Sequence, residues 1–150
     1  MLLPAQQVRT FTEEREAIET RFANWFNTAD TPVQYGNMAS LKKGLQSIPA
    51  PYTGPKWVRL SLQGGTSAQQ EVNRNITTMR GLISINIFTL QNLGSNLARE
   101  IADEIFPIFN AVAFNGITTG PASVIELPPN NGRYNLTMTI PYTWYRCIIT

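Results

Sequence analysis

The longest regular pattern in the chain, residues 76–90, is the feature that most constrains the fold. Apolar and polar side chains alternate along it, so that Ile83, Ile85 and Ile87 fall on one side of an extended strand. Alternation over this length predicts a long strand with one buried face. Gly81 inside the run indicates a bulge or a close crossing by another segment.

Other segments repeat this alternation. Residues 56–63 and 134–142 predict two further strands, and residues 120–127 predict a third that pairs with 134–142 across the turn-forming segment 128–132. Residues 33–38 predict a short strand. The chain is therefore expected to build a mainly antiparallel sheet.

Two segments have the 3.6-residue period of amphipathic helices. The first follows Thr10, which forms a capping box with Glu13, and should run for about 17 residues. The second opens at residues 94–96 and is ended or kinked by Pro107. The buried face of the first helix is predicted to comprise Phe11, Ile18, Phe22, Trp25 and Phe26.

The remaining segments are polar or rich in proline. Residues 39–48 predict a weak helix, and residues 49–55 predict an extended connector. Residues 64–75 have few apolar groups and lie between two predicted strands, so we expect a long, mobile hairpin loop. Its opening Gly64-Gly65 pair lacks the Gly-Lys-Ser/Thr ending of a phosphate-binding loop, which argues against that function.

The order helix, strands, helix, strands defines the expected fold class. It is α+β, with a mainly antiparallel sheet, two principal helices packed on one face and a long β-hairpin loop. A length of 150 residues fits one domain, 1–150.

Composition restricts the function. The charged fraction is 15%, below the roughly 25% of ordinary soluble domains, which suggests that other subunits cover part of the surface. The chain has no histidine and one cysteine, Cys147, which excludes histidine-based catalytic triads, histidine zinc sites and an intrachain disulfide. No segment has the pattern of a signal peptide or a membrane-spanning helix, so we expect assembly in a cytoplasm and no membrane partner.

Acidic clusters have structural interpretations. Glu13, Glu14 and Glu16 suit the positive end of a helix dipole better than a metal or acid–base site. Arg99 and Asp103 have the spacing of a surface ion pair on a helix.

Two features leave alternatives open. Arginines at positions 59, 74 and 80, with Trp57 nearby, are candidates for contact with nucleic acid, although no recognised binding motif organises them. Residues 143–149 form an apolar, aromatic end that is either core or a subunit contact.

Six segments together resemble a known family: residues 11–26, 57–60, 80–88, 98–103, 120–124 and 134–142. They are similar, in chain order, to the tail terminator proteins of long-tailed bacteriophages, the family of the lambda tail terminator. Residues 36–55 fall outside the resemblance and look like an insertion or connector.

The resemblance implies a structural virion protein of the tail or neck, not an enzyme, with no catalytic residues, metal or cofactor. Family members form hexameric rings that cap the tail tube, end its polymerisation and join the tail to the head-side connector. The implied partners are further copies of the chain, the tail tube protein, the head-completion or connector protein, and genomic DNA that passes without sequence recognition.

Residue assignments follow from this expected role. The subunit or tube interface is assigned to Gly64, Gly65, Gln69, Gln70, Glu71, Arg74, Trp144 and Tyr145. Arg59 and Arg80 are assigned to the lumen, where they would face DNA. The alternative functions are a small nucleic-acid-binding module that uses Arg59, Arg74 and Arg80, and a small enzyme that works without histidine.

Overall fold

The structure, a computed structural model, describes residues 7–36, 38, 40–48, 54–71, 76–90, 94–130 and 132–147. Helices and strands follow one another along them as α1 (Phe11–Trp25), β1 (Val33–Tyr35), β2 (Leu41–Lys43), β3 (Gln46–Ile48), β4 (Lys56–Glu71), β5 (Ile76–Leu90), α2 (Gly94–Phe109), β6 (Ala113–Phe114), β7 (Ile117–Thr119), β8 (Ser123–Asn130) and β9 (Arg133–Cys147).

These strands form one sheet with the order β3-β2-β1-β4-β5-β9-β7-β6, and β8 also pairs with β9. Neighbouring strands are antiparallel except β1 and β4, which are parallel. The predicted α+β class with a mainly antiparallel sheet is confirmed.

The core lies between this sheet and the helices. Ile85 of β5 lies between Leu60 of β4 and Met138 of β9, and all three are buried. Ile18 of α1 and Ile105 of α2 belong to the same hydrophobic cluster. Both helices therefore pack on one face of the sheet, as predicted.

The first helix begins where the sequence predicts. Oγ1 of Thr10 accepts a hydrogen bond of 3.1 Å from the backbone N–H of Glu13, which satisfies one of the free donors at the helix start. The predicted buried face is wrong for Phe11 and Trp25, which are 57% and 63% exposed, whereas its other three members are buried. The Trp25 ring instead lies under the guanidinium of Arg21, 4.5 Å away.

The second helix continues past Pro107 to Phe109, so this proline lies inside the helix and does not end it. Arg21 of α1 holds the last turn, because its Nε donates a hydrogen bond of 2.6 Å to the carbonyl of Ile108. Carbonyls at a helix end lack partners within the helix, and an arginine is well suited to bind them.

The segment 39–48 was expected to form a weak helix, but its residues 41–48 form a β-hairpin instead. β2 and β3 pair through Leu41 and Ile48, and Gly44 at their turn has a φ of 61°, which glycine adopts without strain. The hairpin extends the sheet beyond β1, so this part of the expected insertion is an added sheet edge. Residues 49–53 of the expected connector lie outside the described residues.

The expected loop at 64–75 is also largely strand. β4 continues to Glu71, which pairs with Ile76 of β5 after two register shifts, one following Gly64 and one following Gln69. The predicted hairpin is present, but the prediction that its loop starts at Gly64 is wrong. β5 offers partners to the β4 backbone, and this pairing does not depend on apolar side chains. Arg74 lies outside the described residues.

The hairpin of β6 and β7 was not predicted. Asn115 and Gly116 turn it with φ angles of 50° and 81°. Oγ1 of Thr119 fastens it to the end of α2, since it donates to the carbonyl of Phe109 at 2.5 Å and accepts from the N–H of Val112 at 2.8 Å.

The predicted hairpin of the last two strands is confirmed. Val124 of β8 lies opposite Met138 of β9. β8 begins at Ser123 and extends to Asn130, so it includes Pro128, which was assigned to the turn.

Candidate interaction surface

One side of the sheet carries neither helix. Side chains alternate between the two sides of a strand, so residues next to buried ones point away from the core. We call this side the open face, and no helix or strand of the described part of the chain covers it. It comprises Trp57, Arg59 and Ser61 on β4; Arg80, Leu82, Ser84, Asn86 and Phe88 on β5; Ile125 and Leu127 on β8; and Arg133, Asn135, Thr137, Thr139, Pro141, Thr143 and Tyr145 on β9.

An aromatic pair and an arginine lie at one end of the open face. Trp57 and Phe88 face each other across β4 and β5 and stack with centroids 4.2 Å apart. The guanidinium carbon of Arg59 lies 5.5 Å and 5.4 Å from the two ring centroids, and its Nε donates a 3.1 Å hydrogen bond to Oε1 of Gln34. These contacts hold the Arg59 charge against an aromatic surface.

A concavity of about 450 Å³ lies beside this cluster. Its lining includes Leu127, Asn135 and Arg133, whose Nη1 donates to the carbonyl of Gly54 at 2.6 Å. Nε1 of Trp57 and Oδ1 of Asn135 are buried without a hydrogen-bond partner among the described residues. Buried polar atoms normally have partners, so these two atoms carry an energetic cost at this end of the open face.

Arg80 lies on the same face, towards the other end of β5. Arg59 pairs with Asn86, so the two arginines are about 20 Å apart along the strand direction. Arg80 is exposed beside Thr143 and Pro141, in a second concavity of about 310 Å³. The two arginines assigned to a lumen therefore share a face without lying side by side.

The open face is basic. Arg59, Arg80 and Arg133 lie on it, and within residues 57–63, 78–90 and 133–145 the chain has no Asp or Glu at all. On β8, Glu126 points to the helix side, where its carboxylate lies 3.8 Å from the guanidinium of Arg99.

The outer side of α2 is acidic. Its buried residues face the sheet, and Glu100, Asp103 and Glu104 are exposed on the opposite side. Arg99 pairs with Glu126 of the neighbouring strand and, within the described residues, not with Asp103 as expected. Phe106, 41% exposed, lies on the same outer side.

Trp144 and Tyr145, the two aromatic residues expected at an interface, lie on opposite sides of the sheet. Trp144 is 1% exposed and its Nε1 donates to a carboxylate oxygen of Glu14, so it belongs to the core and its assignment to an interface is wrong. Tyr145 is 61% exposed on the open face. Alternation along β9 gives the two neighbours opposite environments.

The other expected interface residues lie on the outer part of β4, namely Gly64, Gly65, Gln69, Gln70 and Glu71. Pairing with β1 ends at Leu60, and no other described strand occupies that edge of β4. An unpaired edge offers backbone donors and acceptors to a strand of another molecule.

Perturbed tyrosines lie on the helix side of the sheet. Burial raises the pKa of Tyr142, and the carboxylate of Glu14, which accepts a 3.1 Å hydrogen bond from its hydroxyl, raises it further. Burial also raises the pKa of Tyr35 to about 12, with a smaller contribution from the charge of Glu19. These groups support the core and are not part of the open face.

The chemistry of the surface is that of binding. Its described part combines stacked rings, aliphatic groups and arginines with serine, threonine and asparagine side chains. Across the described ranges, no group of three or more Cys, Asp or Glu side chains is placed to hold a metal ion. Neither described helix has the length and hydropathy needed to cross a membrane.

No family model matches the chain, and no curated protein matches it significantly. A solved structure of a protein with no stated function is similar to it, with 17% sequence identity and a TM-score of 0.61 over 91% of this chain and 94% of that chain. At this identity the likeness shows the fold alone.

Asn86, Arg133 and Asn135 were missed when the sequence was considered alone. Each lies on the same side of the sheet as Trp57 and Arg59 once β4, β5 and β9 are aligned in register. Alternation within single strands was the available signal, but it does not fix which residues become neighbours across strands.

Proposed function

We propose that this protein is a structural subunit that assembles into a ring at the end of a bacteriophage tail tube, as a tail terminator does. The observation that carries the proposal is the open face: one side of a nine-stranded sheet that no described helix or strand covers. The role is one of binding and assembly, without catalysis.

The composition of the open face supports assembly. Ile125 and Leu127 are exposed there at one end and Tyr145 at the other, and the stacked Trp57 and Phe88 are only half-buried. Exposed aliphatic and aromatic side chains on the uncovered side of a sheet favour contact with other proteins. A charged fraction of 15% is consistent with a surface that subunits cover.

The resemblance to tail terminators supports the tail as the place of assembly. The segments that carry it, 80–88, 98–103 and 134–142, lie in β5, α2 and β9, which build the core and the open face together. The resemblance therefore lies in the framework of the domain.

A terminator needs two unlike surfaces. One ring face must fit the last ring of the tube, while the other must not template a further ring. The unpaired edge of β4 beyond Leu60 offers a surface for the tube, and it is separate from the open face, which serves contacts between subunits.

A tube-growth assay tests the proposal. Purified chain is added to polymerising tail tube protein, and tube lengths and ends are measured by electron microscopy. We expect shorter tubes capped by rings. Tubes of unchanged length with bare ends would contradict the proposal.

A matched pair of variants sharpens the assay. Ile125→Glu places a charge on the open face and should abolish capping, whereas Leu45→Glu, at a fully exposed turn of the β2–β3 hairpin, should not. If both variants cap tubes as the unaltered chain does, the open face is not the assembly surface.

A second candidate function, a small nucleic-acid-binding module, is favoured by one observation. Arg59 and Arg80 share a face that has no carboxylate in the ranges given above. Binding of this kind to duplex DNA would weaken steeply with salt. Duplex binding by the monomer at physiological salt, lost in Arg80→Glu, would support it.

A further inference from the structure

We propose that the acidic outer side of α2 in one copy of the chain docks on the open face of a second copy. The acidic outer side is defined by Glu100, Asp103 and Glu104. This inference rests on the proposed function, because it names the contact that joins one subunit of the ring to the next.

The two surfaces lie on opposite sides of the domain. The buried residues of α2, such as Ile101 and Ile105, face the sheet, so its acidic side points away from it. The open face is on the far side of the same sheet. A contact between two different surfaces of identical subunits is head-to-tail, and it forms a ring when the rotation from one subunit to the next closes.

The charges of the two surfaces are complementary. Arg59 and Arg133 line the concavity of the open face, and the acidic side offers carboxylates that have no ion pair within the described residues. Complementary charge fixes the register of a contact and raises its rate of formation.

The apolar groups are complementary as well. Phe106 is exposed at the border of the acidic side, and a concavity of about 450 Å³ is large enough to take its ring beside Leu127 and Phe88. An aromatic anchor within a rim of paired charges is typical of protein interfaces.

These features favour a protein over DNA as the occupant. Duplex phosphates call for arginines spaced along a track. Arg59 of β4 and Arg80 of β5 are instead about 20 Å apart along the strand direction, with Leu82 and Ser84 between them. The guanidinium of Arg59 also packs on two aromatic rings, which form an apolar floor.

Two variants with opposite charge changes test the contact. The face variant carries Arg59→Glu and Leu127→Glu; the helix variant carries Glu100→Lys, Asp103→Lys and Glu104→Lys. Each alone should shift half-assembly, measured by native mass spectrometry, to at least about tenfold higher concentration. The control variant, Lys43→Glu with Leu45→Glu on the exposed β2–β3 hairpin, should assemble as the unaltered chain does.

Mixing the two variants gives the decisive measurement. The basic α2 of the helix variant fits the acidic open face of the face variant. The acidic α2 of the face variant fits the unaltered open face of the helix variant. We expect mixed rings that contain the two variants in equal numbers. Circular dichroism and thermal unfolding establish that each variant is folded, and Phe106→Glu serves as a single change if one is not.

Each result has a distinct meaning. If the unaltered chain forms rings and both variants do too, the contact is wrong while the proposed function stands. If the unaltered chain never leaves the monomer, the proposed function itself fails. If the face variant assembles normally but loses binding to a duplex DNA probe, the open face binds nucleic acid and the contact is overturned.

Discussion

The phenol of Tyr142 lies directly against the backbone of Gly81 on the neighbouring strand. A Cβ added at Gly81 would lie 2.5 Å from the phenol oxygen and 2.6 Å from the ring carbon that bears it. The absence of a side chain lets Tyr142 reach Glu14 of α1, to which its hydroxyl donates at 3.1 Å. The strand pair and the first helix are thus joined through one glycine.

We expect Gly81→Ala to lower the free energy of unfolding by about 1–3 kcal/mol, because the tightly packed tyrosine has to move. Gly64→Ala is the matched control: Gly64 is paired with Gly81, and a Cβ there would meet nothing within 4 Å. Urea unfolding of both variants measures the difference. Equal free energies of unfolding for the two variants would mean that the Tyr142 side chain can move away from residue 81 without loss of stability.

Stability should fall as the pH rises above about 10, the ordinary pKa of tyrosine. The folded-state pKa of Tyr142 is raised, so in this range the unfolded chain releases the proton first and the free energy of unfolding decreases. Tyr142→Phe should make the fall between pH 10 and 11 shallower. The check is a set of urea titrations, and an unchanged slope in the variant would show that Tyr142 does not cause the fall.

Arg21→Ala should destabilise the protein by about 1–3 kcal/mol, because it leaves the carbonyl of Ile108 without this donor. The guanidinium also lies 4.5 Å and 4.9 Å from the ring centroids of Trp25 and Phe114, and those contacts are lost with it. Arg15→Ala, at an exposed position on the same helix, is the control. Thermal unfolding that gives equal losses for both would contradict a specific role of Arg21.

Thr119→Val keeps the shape of the side chain and removes its hydroxyl. We expect a loss of about 1–3 kcal/mol, since the N–H of Val112 loses its acceptor and the carbonyl of Phe109 loses its donor. Thr118→Val, at the exposed neighbouring position, should be nearly neutral. Both substitutions change β propensity in the same way, so the difference between their free energies of unfolding, measured by chemical unfolding, reports the loss of the Thr119 hydrogen bonds. Equal losses would contradict this role of Thr119.

The central sheet could be predicted because its alternation is regular. Residues 76–90 were expected as a strand and form one with those bounds, since three isoleucines on one side require a buried face. Thr10 could likewise be placed at the helix start from its own chemistry. Sequence patterns within one segment were enough to predict a helix or strand wherever the side chains of that segment determine its structure.

Contacts between distant segments could not be predicted. The β2–β3 hairpin and the outer part of β4 are polar, and they are strands because neighbouring strands pair with their backbones. The concavity near Arg59 depends on register between β4, β5 and β9, which single-strand patterns do not contain. Trp144 was ambiguous for the same reason, since the partner of its Nε1 is Glu14 on the first helix, far away in sequence.

Native mass spectrometry of the unaltered chain over a range of concentrations tests the central claim most directly. We expect a closed particle, a hexamer by the resemblance, that replaces the monomer as the concentration rises. A monomer that persists at every concentration, with and without the tail tube protein, would contradict it.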